Sequence, residues 1–287
     1  MSNTFRHSQV AIDESSLHVV ELGAKSNHPY LFLHGWPESW LEWQEVMTLC
    51  TRDGGYAVAL DLPGVGSSQD TGSKGSKRKL AATVHQLAEH LGLGAFTLVG
   101  HDAGGMVAYA YLREYRDVAS VVIIDTAVPG VDPWDRVLAN PYIWHFAFHA
   151  VPKLPESLVQ GHQAEYFAYF YDAIAAKPAA IRPEARAAYA EAYGSEASLR
   201  AGFELYRAFA EDARDNRAFA ERGSTQTPLL YVRGGAGHSA IGMDDYAAGL
   251  RGAGVERLKT AVIPDVGHFI PEEAPAALWS LVKASSS

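Results

Sequence analysis

A single cysteine, Cys50, stands in the 287 residues of this chain. No intramolecular disulfide can form, and nothing demands an oxidising compartment. Apolar runs are short too. No stretch of about 18 apolar residues occurs, so the chain offers no candidate membrane span. The opening MSNTFRHSQV lacks the apolar centre of a signal peptide. A soluble, cytoplasmic protein that stays off membranes is the expectation. Positive charge is scarce: Lys and Arg number 24 against 33 Asp and Glu, a net charge of −9. That excludes a broad cationic face for nucleic acid or anionic lipid. The one basic run, KGSKRKL (74–80), lies among Gly and Ser and reads as a solvated loop leading into a helix.

What the chain does have is apolar material, 48% of its residues, punctuated by 26 Gly and 14 Pro. That suffices for one large core. Two alternating stretches, SQVAID and LHVVEL, predict an N-terminal hairpin. Compact apolar runs ending in loop signals follow: YLFLHGWP, YAVALDLPG, FTLVGHD, VASVVIIDT, PLLYVRGG and TAVIPDVGH. Such runs suit strands buried on both faces of a parallel sheet. Helical patterns separate them, including KLAATVHQLAEHLG and MVAYAYLREY, so the predicted fold is a doubly wound α/β sheet. Between 131 and 225 the rhythm breaks into Ala-, Glu- and aromatic-rich helical sequence. The predicted organisation is a core of 1–130 and 226–287 with 131–225 inserted as a helical cap. Ligands of open α/β sheets bind beyond the carboxyl ends of the strands, where such a cap would close over them.

The chemistry is carried by VGHDAGG (99–105). Gly-x-nucleophile-x-Gly between strand and helix makes a sharp turn that holds one side chain at the top of the sheet. Here that side chain is Asp102. A carboxylate is a weak nucleophile. It suits an electrophilic sp³ carbon with a strained or good leaving group, and attack gives an alkyl ester. In LFLHGWPESW, the turn after the strand presents the Trp36 N–H to the nucleophile, with Pro37 fixing the turn. The Ala103 N–H completes a predicted oxyanion hole. His34 is expected to bond locally. In IPDVGHFIPEEAP, His268 follows the last strand, where this chain order places the general base. The orienting acid is expected in a G-x-x-D context after the strand before that histidine. YVRGGAGHSAIG has His238 there instead, while Asp244 and Asp245 read as a solvated helix start. The acid is therefore assigned to Asp125, at the end of VVIIDTAVPG, where it would hold the His268 tautomer.

These residues resemble the epoxide hydrolase and haloalkane dehalogenase branch of the α/β-hydrolase superfamily. The likeness runs from HGWP through DLPGVGSS, GHDAGG and IIDTAVPG to VGHFIPEE. It is strongest to the Cif-type epoxide hydrolases, which share the acid after the sixth strand and the stretches matching IWHFAFHA (143–150), FELYRAF (203–209) and RGGAGHSAIG (233–242). The resemblance implies an α/β-hydrolase fold and an epoxide opened to a vicinal diol without metal or cofactor. It also implies His145 and Tyr206 as the pair that donates hydrogen bonds to the epoxide oxygen. From spacing alone both residues fit packing in aromatic helical stripes. His149, His162, Tyr166, Tyr169 and Tyr171 read as lid core or pocket wall, with Tyr166 or Tyr169 as alternative donors. Trp36, Trp40, Trp144, Phe146 and Phe203 are candidates to line an apolar pocket for an uncharged, partly hydrophobic epoxide.

Dehalogenases remain the alternative, since they share the Asp–acid–His set. Haloalkane dehalogenases carry Trp after the nucleophile and often Asn in H-G-N-P, where this chain has Ala103 and Trp36. Fluoroacetate dehalogenases carry arginines one and four residues past the nucleophile, here Ala103 and Met106, and a Trp where this chain has Phe146. A binding protein with a vestigial site is a further alternative, and an exposed cap helix is a candidate homodimer surface.

Overall fold

The structure is a computed structural model and describes residues 4–12, 15–236 and 241–285. Eight strands form one sheet in the order β1-β2-β4-β3-β5-β6-β7-β8. They are β1 (Arg6–Ile12), β2 (Ser15–Leu22), β3 (Pro29–Leu33), β4 (Tyr56–Leu60), β5 (Phe96–His101), β6 (Val118–Ile124), β7 (Leu229–Gly234) and β8 (Leu258–Ile263). The hairpin β1–β2 and the β2–β4 pair are antiparallel, and every pairing from β4 to β8 is parallel. The runs YLFL, YAVAL and FTLVGH are buried along their whole length. Central parallel strands covered by helices on both faces require this.

Six helices belong to the sheet layers: α1 (Gln44–Arg52), α2 (Lys77–Leu91), α3 (Asp102–Glu114) and, after β7, α11 (Met243–Gly252), α12 (Ile270–Glu273) and α13 (Pro275–Ser285). Between β6 and β7 lie seven more: α4 (Trp134–Leu138), α5 (Trp144–Ala150), α6 (Leu154–Val159), α7 (Gln163–Ile174), α8 (Pro183–Ala192), α9 (Glu196–Arg207) and α10 (Phe209–Glu221). No strand interrupts them among the described residues. This segment lies against the loop after β3: Tyr171 Oη donates to the Pro37 carbonyl at 3.1 Å and Tyr193 Oη to that of Glu38 at 3.0 Å. Among the described residues no helix is long and apolar enough to cross a membrane.

The basic run departs from its expectation. Lys77, at the start of α2, is 2% exposed, and its Nζ lies 2.9 Å from Asp212 Oδ2 on α10. An ammonium can be buried only where a partner replaces its water. Burial lowers the Lys77 pKa and raises that of Asp212, and each group's charge opposes the shift of the other.

Candidate active site

At the end of β5 the backbone turns through Asp102 with φ +45° and enters α3. A non-glycine residue in the left-handed region marks stored strain, common where a side chain must be aimed. The flanking glycines make the turn sterically feasible: a Cβ on Gly104 would lie 2.3 Å from the Leu33 carbonyl oxygen. The loop after β3 comes just as close. A Cβ on Gly35 would lie 2.8 Å from Asp102 Cβ, so only glycine lets the next peptide reach the Asp102 carboxylate. That peptide N–H, of Trp36, donates to Asp102 Oδ2 at 3.0 Å. The Trp36–Pro37 bond is cis. Ala103 is buried in the first turn of α3, whose leading N–H groups have no intrahelical acceptor. His34 bonds locally, through Nδ1 to the Gly35 carbonyl and through Nε2 to the Leu62 N–H.

His268 Nδ1 lies 2.8 Å from Asp125 Oδ2. Asp125 also has positive φ, +42°. Its Oδ1 accepts from Arg233 Nε at 3.3 Å and the Gly234 N–H at 3.4 Å. Burial alone would raise the Asp125 carboxyl, but the hydrogen bond and charge of His268, aided by Arg233, hold it below the usual range. Asp245 is occupied elsewhere, by Arg136 at 2.7 Å and its own helix start. Asp244 begins the same helix, and His238 lies outside the described residues. The loop that carries His268 is held by Glu273, which accepts from Gly267 N–H at 3.0 Å and Phe269 N–H at 3.1 Å.

The cap closes the site with aromatic rings. His145 and Tyr206 face one another with ring centroids 5.9 Å apart, and both sit over Trp36, at 6.4 and 5.6 Å. The charge of Asp102 acts on both. Burial pushes His145 down to about 4 and Tyr206 well up, so at neutral pH both are uncharged and each keeps a proton to donate. Phe146 packs on Tyr206 at 5.5 Å, and Phe203 on Trp36 at 6.4 Å. Two pocket expectations need correction. The Trp40 indole packs at the sheet edge, tilted on Phe5 and edge-on to His7 and His18, while its backbone N–H donates to Asp61 Oδ1 at 3.1 Å. Trp144 is 41% exposed and sits at the cap surface with Tyr169.

One cap histidine sits where lid core was expected, and one buried set escaped the sequence reading. His149 is fully buried between Trp36, Phe203 and Tyr206, and its Nε2 bonds Tyr166 Oη at 2.7 Å. Beneath the turn, His101 Nδ1 meets Glu42 at 2.8 Å and Glu38 at 3.1 Å, and its Nε2 meets the His268 carbonyl at 3.0 Å. Burial and the neighbouring Glu42 push Glu38 up to about 8. These three residues bring ligand-type atoms within 4.8 Å of one another. With both nitrogens of His101 already engaged, the set reads as a buried ion pair beside a protonated carboxyl. The only sequence signal was the pair of glutamates after HGWP.

The cap histidines make a stability prediction. A histidine whose folded pKa is depressed takes up its proton more readily unfolded, so stability falls as pH drops below about 6.5. For His145 the fall should continue to about 4, worth on the order of 3 kcal/mol at full extent. Thermal melts at pH 7 and 4.5 should show a larger Tm loss in wild type than in His145→Gln. Equal losses would exclude a contribution from His145.

A family model described as alpha/beta hydrolase fold matches residues 29–275. A soluble epoxide hydrolase of Corynebacterium sp. (strain C12) is 28% identical over 284 residues, covering 96% of this chain and 95% of that one. The solved structure of Cfl2 from Burkholderia cenocepacia is 34% identical, with a TM-score of 0.90 over 99% of this chain and 96% of the other. A fluoroacetate dehalogenase of Burkholderia sp. is 33% identical over 139 residues, 45% of each chain.

Proposed function

The chain belongs to the α/β-hydrolase fold family, in its epoxide hydrolase branch, and we propose that it opens an epoxide to a vicinal diol through an ester on Asp102. The observation that carries this reading is the pair of neutral donors, His145 and Tyr206, both against the Trp36 ring and both within the field of an Asp102 carboxylate already seated on a backbone N–H. An alkoxide is a poor leaving group, so ring opening needs protons supplied at the oxygen.

The order of events follows from which atoms are engaged. Asp102 Oδ2 rests on the Trp36 N–H, which leaves Oδ1 to attack. The Oδ1–carbon bond forms, the ring C–O bond breaks, and the released oxygen takes a proton from the His145–Tyr206 pair. Oδ2 becomes the ester carbonyl oxygen, already in the oxyanion hole. His268, oriented by Asp125, then removes a proton from water, which attacks the Asp102 carbonyl carbon. The oxyanion is held by the N–H groups of Trp36 and Ala103, each worth roughly 3 kcal/mol in comparable sites. The bond between the Asp102 carbonyl carbon and Oδ1 breaks, the departing alkoxide takes the proton that the attacking hydroxyl brought, and the diol leaves carrying Oδ1. Asp102 is a carboxylate again, and the proton on His268 restores the donors. The apolar rings of Phe146 and Phe203, and of Phe170, which lies 5.0 Å from both the Trp36 and His145 rings, suit an uncharged, partly hydrophobic substrate.

Styrene oxide, a long-chain terminal epoxide, a bromoalkane and fluoroacetate form the test panel. Diol is expected from the epoxides, with halide release absent or far slower. In Tyr206→Phe, epoxide turnover is expected to fall by about 10²-fold, the lower range for a positioned proton donor. Rapid halide release with no diol would transfer the site to dehalogenation. Loss of neither activity in Tyr206→Phe would remove Tyr206 from the donor pair.

A further inference from the structure

The buried ammonium of Lys77 serves no step derived so far, although it lies at the seam between the sheet layers and the cap. Lys77 is the first residue of α2. A cation gains nothing there from its own helix, whose N-terminal end is positive. The ion pair, hydrogen bond and ring contact of its side chain lie instead where α9 gives way to α10. Nζ lies 2.9 Å from Asp212 Oδ2, donates to the Leu205 carbonyl, and sits 4.8 Å from the centre of the Phe209 ring. The Lys77 backbone N–H donates to Asp212 Oδ1 at 2.8 Å, so one carboxylate caps α2 and neutralises the ammonium. The Leu205 carbonyl belongs to the last turn of α9, the negative end of that helix.

The residue after Leu205 is Tyr206. Phe209, beneath the ammonium, packs against the Tyr206 ring at 5.4 Å and against Phe146 at 5.0 Å. The same turn is pressed from below by the loop before α2. A Cβ on Gly75 would lie 2.1 Å from the Glu204 carbonyl oxygen. Residues 204–206 are thus held from the core by both a steric stop and a charged clamp. Apolar side chains of similar volume would hold the seam about as firmly. What an ammonium adds is direction, since it fixes where the carbonyl and the carboxylate must lie.

We propose that Lys77 is a positioning residue for ring opening: by clamping the last turn of α9 to the core, it sets the Tyr206 phenol over Asp102. This rests on the reading of Tyr206 as an oxygen donor, and the step affected is ester formation. Hydrolysis of the ester depends on His268, Asp125 and the Trp36 loop, none of which Lys77 touches.

The experiment is rapid-quench single turnover with styrene oxide, resolving ester formation from ester hydrolysis. It compares wild type, Lys77→Met, Tyr206→Phe and the Lys77→Met/Tyr206→Phe double variant. Lys77→Met is expected to slow ester formation by roughly tenfold or more while hydrolysis stays within about threefold, as displacement of one reacting group predicts. In the Tyr206→Phe background the Lys77 substitution should add less than about twofold, since residues acting as a unit are not additive. Should Lys77→Met not fold, Lys77→Met/Asp212→Leu, which leaves no buried charge unpaired, takes its place and is read in the same way. Equal slowing of both steps, or a full additional loss in the Tyr206→Phe background, would reduce the clamp to a general structural contact and overturn the proposal. Wild type that forms no ester at all would instead remove the functional reading, and the positioning role with it.

Discussion

His268→Gln should stall with its substrate attached. The variant keeps Asp102, the Trp36 N–H and the donor pair, so the first half of the reaction has everything it needs. It lacks the imidazole that Asp125 holds at 2.8 Å, and water near the ester carbonyl then has no base to take its proton. Steady-state turnover is expected to fall by at least about 10³-fold, since removal of a general base from a nucleophile–base pair typically costs this much or more. The protein should gain the mass of one substrate in intact mass spectrometry, and the adduct should map to the peptide bearing Asp102. Full turnover in the variant, or loss of both adduct and product, would withdraw the base assignment. Asp125→Asn should behave as a weaker copy, because the imidazole remains but loses the partner that fixes its tautomer.

Asp102→Ala removes the first bond-forming atom, and here no intermediate should accumulate. The expected loss is complete within detection, on the order of 10⁴-fold or more below wild type, as for other nucleophile knockouts. Epoxide affinity should survive, because the rings that enclose the substrate belong mainly to the cap and the Trp36 loop. Binding measured by fluorescence quenching of the pocket tryptophan, with activity absent, is the informative combination. Alanine also tolerates φ +45° less well than aspartate, so any fall in Tm should be compared with Asp102→Asn before activity is interpreted. Residual turnover above about one part in a hundred of wild type would point to direct attack by water and contradict the ester route.

The sheet was legible in the sequence because its strands are short apolar runs that end at turn residues, a pattern that parallel burial imposes on every strand from β4 to β7. The turn through Asp102 was legible for a steric reason: glycine must stand where a Cβ would lie 2.3 Å from a neighbouring carbonyl oxygen, as at Gly104. Asp125 emerged because the usual acid position held a histidine, and the structure places Asp125 Oδ2 against His268. Other features depend on partners far along the chain. Whether Lys77 is solvated or buried is decided by Asp212, 135 residues away, and nothing in KGSKRKL records that. Trp40 looked like pocket wall from its place after HGWP, but its ring packs on Phe5 and two histidines of the hairpin. His149 and Tyr166 lie in the same aromatic stripes as their neighbours. Only the crossing of α5 and α7 makes them a hydrogen-bonded pair.

The central claim is that the diol takes one oxygen from Asp102 and that water restores it. A single turnover in ¹⁸O-labelled water, with enzyme in excess over styrene oxide, tests this directly when followed by mass spectrometry of both diol and peptides. The account predicts label in the Asp102 peptide and an unlabelled diol from the first turnover. Label in the diol with none in the peptide would mean that water attacks the epoxide directly, and the ester on Asp102 would have to be abandoned.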